Sequence, residues 1–170
     1  MEYFRFSSGN IWKVAIYTLL VAPSRQVKMN IHIADTESEI DRALPVLNQL
    51  RSSFTLAGLK AQIIRQMNDG FKLVYLTNGN TVVSVAGFVI TEKLGWGKTL
   101  YIDDLVTDAG QRSKGAGKLM IDWLKAFAKE NGCSQIHLDS RLSRLETHRF
   151  YEREGFTKAS YHFSITQLGN

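Results

Sequence analysis

The stretch TDAGQRSKGAGKLM, Thr107 to Met120, packs three glycines and three cations between an apolar strand-like run and an apolar helix-like run. A strand that enters a glycine-rich turn and then a helix offers backbone N–H groups and the positive end of a helix dipole to an anion, phosphate above all. The same composition also suits a plain basic loop, and the spacing narrows the choice. A Walker A loop would need glycine at Arg112 and a hydroxyl residue at Leu119. A dinucleotide fingerprint would need glycine or alanine at Met120. Upstream, Asp103 and Asp104 are adjacent in a strand-like run, so regular alternation would point them to opposite faces, leaving at most one facing a substrate.

The elements that must position these residues can be read from pattern. MNIHIAD from Met29 is a short alternating strand, and Thr36 with Glu39 has the form of a capping box before a helix. Pro45 falls inside that helical pattern, where it can kink or split it, and a second helix is expected around Leu59 to Met67. FKLVYL and TVVSVAGFVIT flank Asn78-Gly79, a hairpin signal, and KTLYIDDLVTD reads as the next antiparallel strand after an LGWGK turn. Leu119, Met120, Trp123, Leu124 and Phe127 share one helical face that ends at Asn131-Gly132. SQIHLDS reads as a strand, RLETHRFYERE as a helix stopped by Gly155, and TKASYHFSIT as one or two closing strands. The result is an α/β or α+β domain whose mixed sheet is mostly antiparallel.

At 170 residues, 44% hydrophobic and 22% charged, the composition is that of one ordinary globular domain, placed at residues 29–170. Residues 1–28 read as an appendage: IWKVAIYTLLVA is too short to span a bilayer and lacks a signal peptide's basic lead and cleavage site. An over-extended start and a docked strand or helix are the rival accounts of it. The net charge of +5 favours anionic partners without choosing one, and no groove-reading motif speaks for nucleic acid. The single cysteine, Cys133, excludes an intramolecular disulfide and a cysteine-based metal site and fits a reducing cytoplasm.

Arg112-Ser113-Lys114-Gly115-Ala116-Gly117 matches the arginine-x-x-glycine-x-glycine signature of the GNAT N-acetyltransferases, and THRFYEREGF, Thr147 to Phe156, resembles that family's later motif. The two occur in the family's order, and the likeness spans about Asn30 to Ile165; the wording around both resembles small, mostly uncharacterised bacterial members. The resemblance implies a GNAT-like sheet with helices on both faces, acetyl-CoA as co-substrate, no metal, and a small-molecule or peptide amine as acceptor, with a homodimer left open. It implies that Leu105, Val106 and Thr107 lie along the pantetheine arm, with a main-chain N–H near Val106 polarising the thioester carbonyl. The neighbouring strand, around Ile136 to Asp139, would splay away to admit the cofactor, and Arg112 to Lys118 would cradle the diphosphate.

It also assigns Tyr151 as the general acid for the departing thiolate and Asp103, ahead of Asp104, as the general base for the amine; Glu92, His137 and His148 are outside candidates for that base. Two departures stand out: Ser113 replaces a frequent glycine, and Arg144 stands where many members carry asparagine. A non-catalytic acyl-CoA sensor is the alternative function, and a nucleic-acid-binding module a weaker one.

Overall fold

Local signals set where the elements start and stop. The computed structural model describes residues 15–17 and 29–168, so most of the expected appendage lies outside the described residues. Strand β1 (Ala15–Tyr17) pairs antiparallel with β2 (Met29–Ile33), Ala15 opposite Ile31. The capping box forms as expected: Thr36 Oγ1 accepts from the Glu39 amide at 3.3 Å, and Glu39 Oε2 accepts from the Thr36 amide at 3.0 Å. It opens α1 (Glu37–Leu47), which carries Pro45 in its last turn without splitting. Helix α2 (Leu56–Asn68) begins three residues earlier than its apolar periodicity suggests, because Thr55 caps it by accepting from the Gly58 amide at 3.1 Å.

The Asn78-Gly79 turn joins β3 (Lys72–Asn78) to β4 (Thr81–Lys93), with Gly79 at φ 58° as the turn requires. Strand β5 (Gly97–Thr107) follows, then α3 (Ala116–Glu130), β6 (Gln135–Leu138) and α4 (Leu145–Arg153). The sheet order is β1-β2-β3-β4-β5-β6, antiparallel except for the parallel pair β5 and β6 that the α3 crossover produces.

The sheet is covered on both faces, which is why β3 and β4 read as continuous apolar runs. On one face α1 and α2 enclose Leu44, Leu47, Ile63, Leu73, Tyr75, Val85 and Val106; on the other α3 packs Met120, Ile121 and Leu124 against Val74, Phe88, Leu100 and Ile102. The α/β fold with a mostly antiparallel sheet is as expected. Among the described residues no helix is long and apolar enough to cross a membrane.

One element differs. Residues 157–168 form no strand, and Tyr161, Phe163 and Ile165 are 79%, 89% and 76% exposed. Alternation suits a residue run to a pleated surface, but a strand also needs a partner's hydrogen bonds. None of this segment is paired to β6.

Thr36→Ala removes the cap oxygen and should lower unfolding stability by about 1 kcal/mol, read from the urea midpoint at unchanged m-value.

Candidate functional site

The site is built where β5 and β6 part. Their parallel pairing runs from Thr99 opposite Gln135 to Ile102 opposite Leu138 and stops there. From Asp103 to Thr107 β5 continues with β4 alone, as the expected splaying requires. The Asp108 amide donates to Val83 O at 2.9 Å, and Ser84 Oγ donates to Val106 O at 2.9 Å. Backbone groups alternate along a strand, so Val106 turns its main-chain groups to β4. The amides of Leu105 and Thr107 therefore face the open side. The expected N–H near Val106 is thus supplied by a neighbour of Val106.

Beyond Thr107 the chain makes a short 3-10 turn, Ala109–Gln111, started by Asp108 Oδ1 accepting from the Gly110 amide at 3.0 Å. Ser113 then takes φ 61° and Gly115 φ 84°. These two left-handed residues curl the loop, and Gly115 ends it as the N-cap of α3 with no side-chain cap. The first-turn amides of α3, from Ala116 on, are left for an external acceptor. A Cβ on Gly115 would meet nothing within 4 Å, so the turn itself is not packed against a neighbour there.

The three cations of the loop are not equivalent. Lys114 Nζ folds back on Gly110 O and Gln111 Oε1 at 3.1 and 3.2 Å, and Lys118 Nζ pairs with Asp122 at 2.8 Å and Glu154 at 3.7 Å. Arg112 is exposed and has no ion-pair partner among the described residues.

Helix α4 closes the other side. A Cβ on Gly117 would stand 3.3 Å from the Phe150 ring and 3.5 Å from Thr107 Oγ1, so the start of α3, the end of β5 and α4 meet at this glycine. Tyr151, the next residue, packs its ring against Phe150 and Phe156 at centroid distances of 5.4 and 5.6 Å. Burial raises its phenol above the ordinary range, against a downward pull from Arg144. Its hydroxyl is protonated at neutral pH and has no hydrogen-bond partner among the described residues. Arg144 is the N-cap of α4 and contributes no capping bond.

The two carboxylates do not follow simple alternation. Gly87 lies opposite Asp104 and Phe88 opposite Ile102, so Asp103 is the extra residue of a β-bulge. This corrects the expected opposite-face placement, because regular alternation does not continue across a bulge. Arg51 Nε holds Asp104 Oδ1 at 2.6 Å while its Nη2 donates to Asp103 O at 3.3 Å. Asp104 is thereby a structural ion pair, its side chain 11% exposed. Asp103 reaches solvent, yet partial burial lifts its carboxyl above the usual range, Asp104 adding to the rise and Arg51 opposing it.

The outside candidates fall away. Glu92 lies opposite Lys98 in the strand register toward the far end of the strands, five residues or ~17 Å along β5 from Asp103. His137 stacks on Trp96 at 4.0 Å and bonds Gln135, and His148 bonds Arg141 O at 2.9 Å. Sequence reasoning missed Arg51, 53 residues from its partner, and Tyr101, whose hydroxyl donates to Asp139 Oδ2 at 2.5 Å. Only the two-residue spacing from Tyr101 to Asp103 hinted at the latter.

The model of the Acetyltransferase (GNAT) family matches residues 39–156. The uncharacterized N-acetyltransferase YhdJ of Bacillus subtilis is 31% identical over 133 residues, covering 75% of this chain and 92% of that protein. The glucosamine 6-phosphate N-acetyltransferase of Trypanosoma brucei brucei is 28% identical over 126 residues, covering 71% and 84%. Among solved structures, an aminoglycoside N-acetyltransferase in complex with CoA superposes with a TM-score of 0.73 at 12% identity, covering 88% of this chain and 100% of that one; this likeness is one of fold.

Ser113→Gly should stabilise the protein by about 1 kcal/mol, because glycine adopts the left-handed conformation without the Cβ clash that serine carries there. A rise of roughly 2–4 °C in melting temperature would register it.

Proposed function

The chain belongs to the GNAT acetyltransferase family, whose co-substrate is acetyl-CoA, and from that premise we propose that it transfers the acetyl group to the amine of a small molecule or peptide by direct attack, with Tyr151 as general acid. The observation that carries the reading is a continuous track. The unpaired edge of β5 from Leu105 to Thr107 leads into the loop of Arg112, Ser113 and Lys114 and the uncapped amides that Gly115, Ala116, Gly117 and Lys118 present. A pantetheine arm pairs with the first part and a diphosphate with the second.

In this reading the outward amide of Leu105 or Thr107 polarises the thioester carbonyl, a donor aimed at the oxygen where charge develops. Arg112 supplies the free cation for the diphosphate, while Lys114 and Lys118 brace the loop through the contacts they already make. The amine, its ammonium proton first released to water, attacks the carbonyl carbon, the C–S bond breaks with its electron pair on sulfur, the Tyr151 hydroxyl gives its proton to that sulfur, and the nitrogen sheds one further proton, ultimately to solvent. A phenol held protonated by burial suits that task. Asp103, rather than the Arg51-locked Asp104, meets the amine and favours its approach as an ammonium.

Acetyl-CoA at a hundredfold excess over its dissociation constant should add about 2.7 kcal/mol to stability and raise the melting temperature, whereas NAD and ATP should do far less. Equal shifts with all three ligands would end the cofactor assignment. Tyr151→Phe should lower kcat roughly a hundredfold with acetyl-CoA affinity nearly unchanged, measured on an amine found by panel screening or on hydrolysis of acetyl-CoA. Full turnover in that variant would exclude Tyr151 as the acid, and turnover absent from the wild type despite cofactor binding would mark a sensor.

A further inference from the structure

Three side chains from separate parts of the chain meet at the mouth of the fork. Asp139 is the first residue past Leu138, the last paired residue of β6, and Asp103 holds the same place on the other arm, after Ile102. Tyr101 Oη donates to Asp139 Oδ2, and His162 Nδ1, from the segment that follows α4, lies 2.8 Å from that same oxygen. Burial, the Asp139 bond and the charges of Asp139 and Asp103 push the Tyr101 phenol far above its ordinary range, so it remains a donor to the carboxylate. The other ring nitrogen of His162, Nε2, has no partner among the described residues. The chain's three other histidines each engage a ring nitrogen: His32 with Thr77, His137 with Gln135 and His148 with Arg141.

An imidazole paired through one nitrogen to a carboxylate and free at the other is the arrangement a general base requires. We propose that His162 is the general base for the acceptor amine, held in orientation by Asp139, which Tyr101 fixes in turn. This rests on the acetyl-transfer reading. The amine N–H proton passes to His162 Nε2 as the nitrogen forms its bond to the acetyl carbon. The C–S bond breaks with its electron pair on sulfur, and Tyr151 protonates the thiolate. Exchange with water then returns a proton to the Tyr151 phenolate and removes one from His162. Asp139 and Tyr101 are positioning residues, and Asp103 keeps its charge role.

The test uses the full chain with acetyl-CoA and water as acceptor, followed by thiol release, so it does not wait for the amine. His162→Ala should lower the rate at pH 7 at least tenfold and abolish the acidic limb of the pH–rate profile, with the acetyl-CoA thermal shift unchanged. Free imidazole, corrected for its uncatalysed reaction, should restore part of that rate in His162→Ala and leave the wild type unaffected; a merely structural role would not give this rescue. Asp139→Asn should slow the reaction while the acidic limb persists. The proposal is overturned if His162→Ala keeps the rate and profile, if imidazole restores nothing, or if Asp103→Asn rather than His162→Ala removes the acidic limb. A wild-type protein that neither binds acetyl-CoA nor releases thiol would instead overturn acetyl transfer itself, and the base with it.

Discussion

The parting of β5 from β6 after Ile102 and Leu138 is the constraint on which the rest of the molecule depends. A parallel pair that stayed zipped would spend the edge of β5 on sheet hydrogen bonds and leave nothing for a ligand's backbone-like arm. Two features keep it open. The bulge at Asp103 bends β5 as the pairing ends, and Gly87 opposite it admits the Phe71 ring so closely that a Cβ there would stand 2.3 Å from a ring carbon. The bend is thus packed into the core on the α1 and α2 face. Arg51 then ties the bulged strand to the chain beyond α1 through the Asp104 side chain and the Asp103 carbonyl.

Charge is arranged around the same opening, in a pattern that the net value of +5 conceals. The glycine loop after β5 carries Arg112, Lys114 and Lys118, whereas the mouth of the fork carries Asp103, Asp104 and Asp139. On the proposed reading, an anionic carrier and a cationic acceptor would meet charges of opposite sign at the loop and at the fork. Of the six charges, Lys114, Lys118 and Asp104 are taken up by neighbours within the fold, and Asp139 is held by Tyr101 and His162. Arg112 and Asp103 have no side-chain ion-pair partner among the described residues.

Much of this was legible in the sequence because it is encoded locally. A capping box, an Asn-Gly turn, apolar periodicity and a glycine-rich junction each depend on residues a few positions apart, and they located every α-helix among the described residues and the strands from β2 to β6. The loop's position between β5 and α3 was legible for the same reason. What could not be read depends on partners remote in the chain. Arg51 and Asp104 are 53 residues apart, and Asp103 counts as a bulge only once its register with Gly87 and Phe88 is known. Tyr161 to Ile165 alternates like a strand, yet nothing in its own composition says whether an edge will receive it. Ser113 shows the converse: its chemistry looked innocuous, and the strain appears only in its φ of 61°.

The close contact between Gly117 and Phe150 has a metrical consequence. It fixes the start of α3 against α4, so the amides that face the loop and the hydroxyl of Tyr151, one residue from Phe150, cannot move apart independently. In the proposed reaction they would form a ruler with one mark at the anion and the other at the sulfur. On the proposed chemistry, a thioester whose arm is shorter or longer than that interval would seat its diphosphate or its sulfur, but not both. Carrier choice would then be a measurement of length made by two helices.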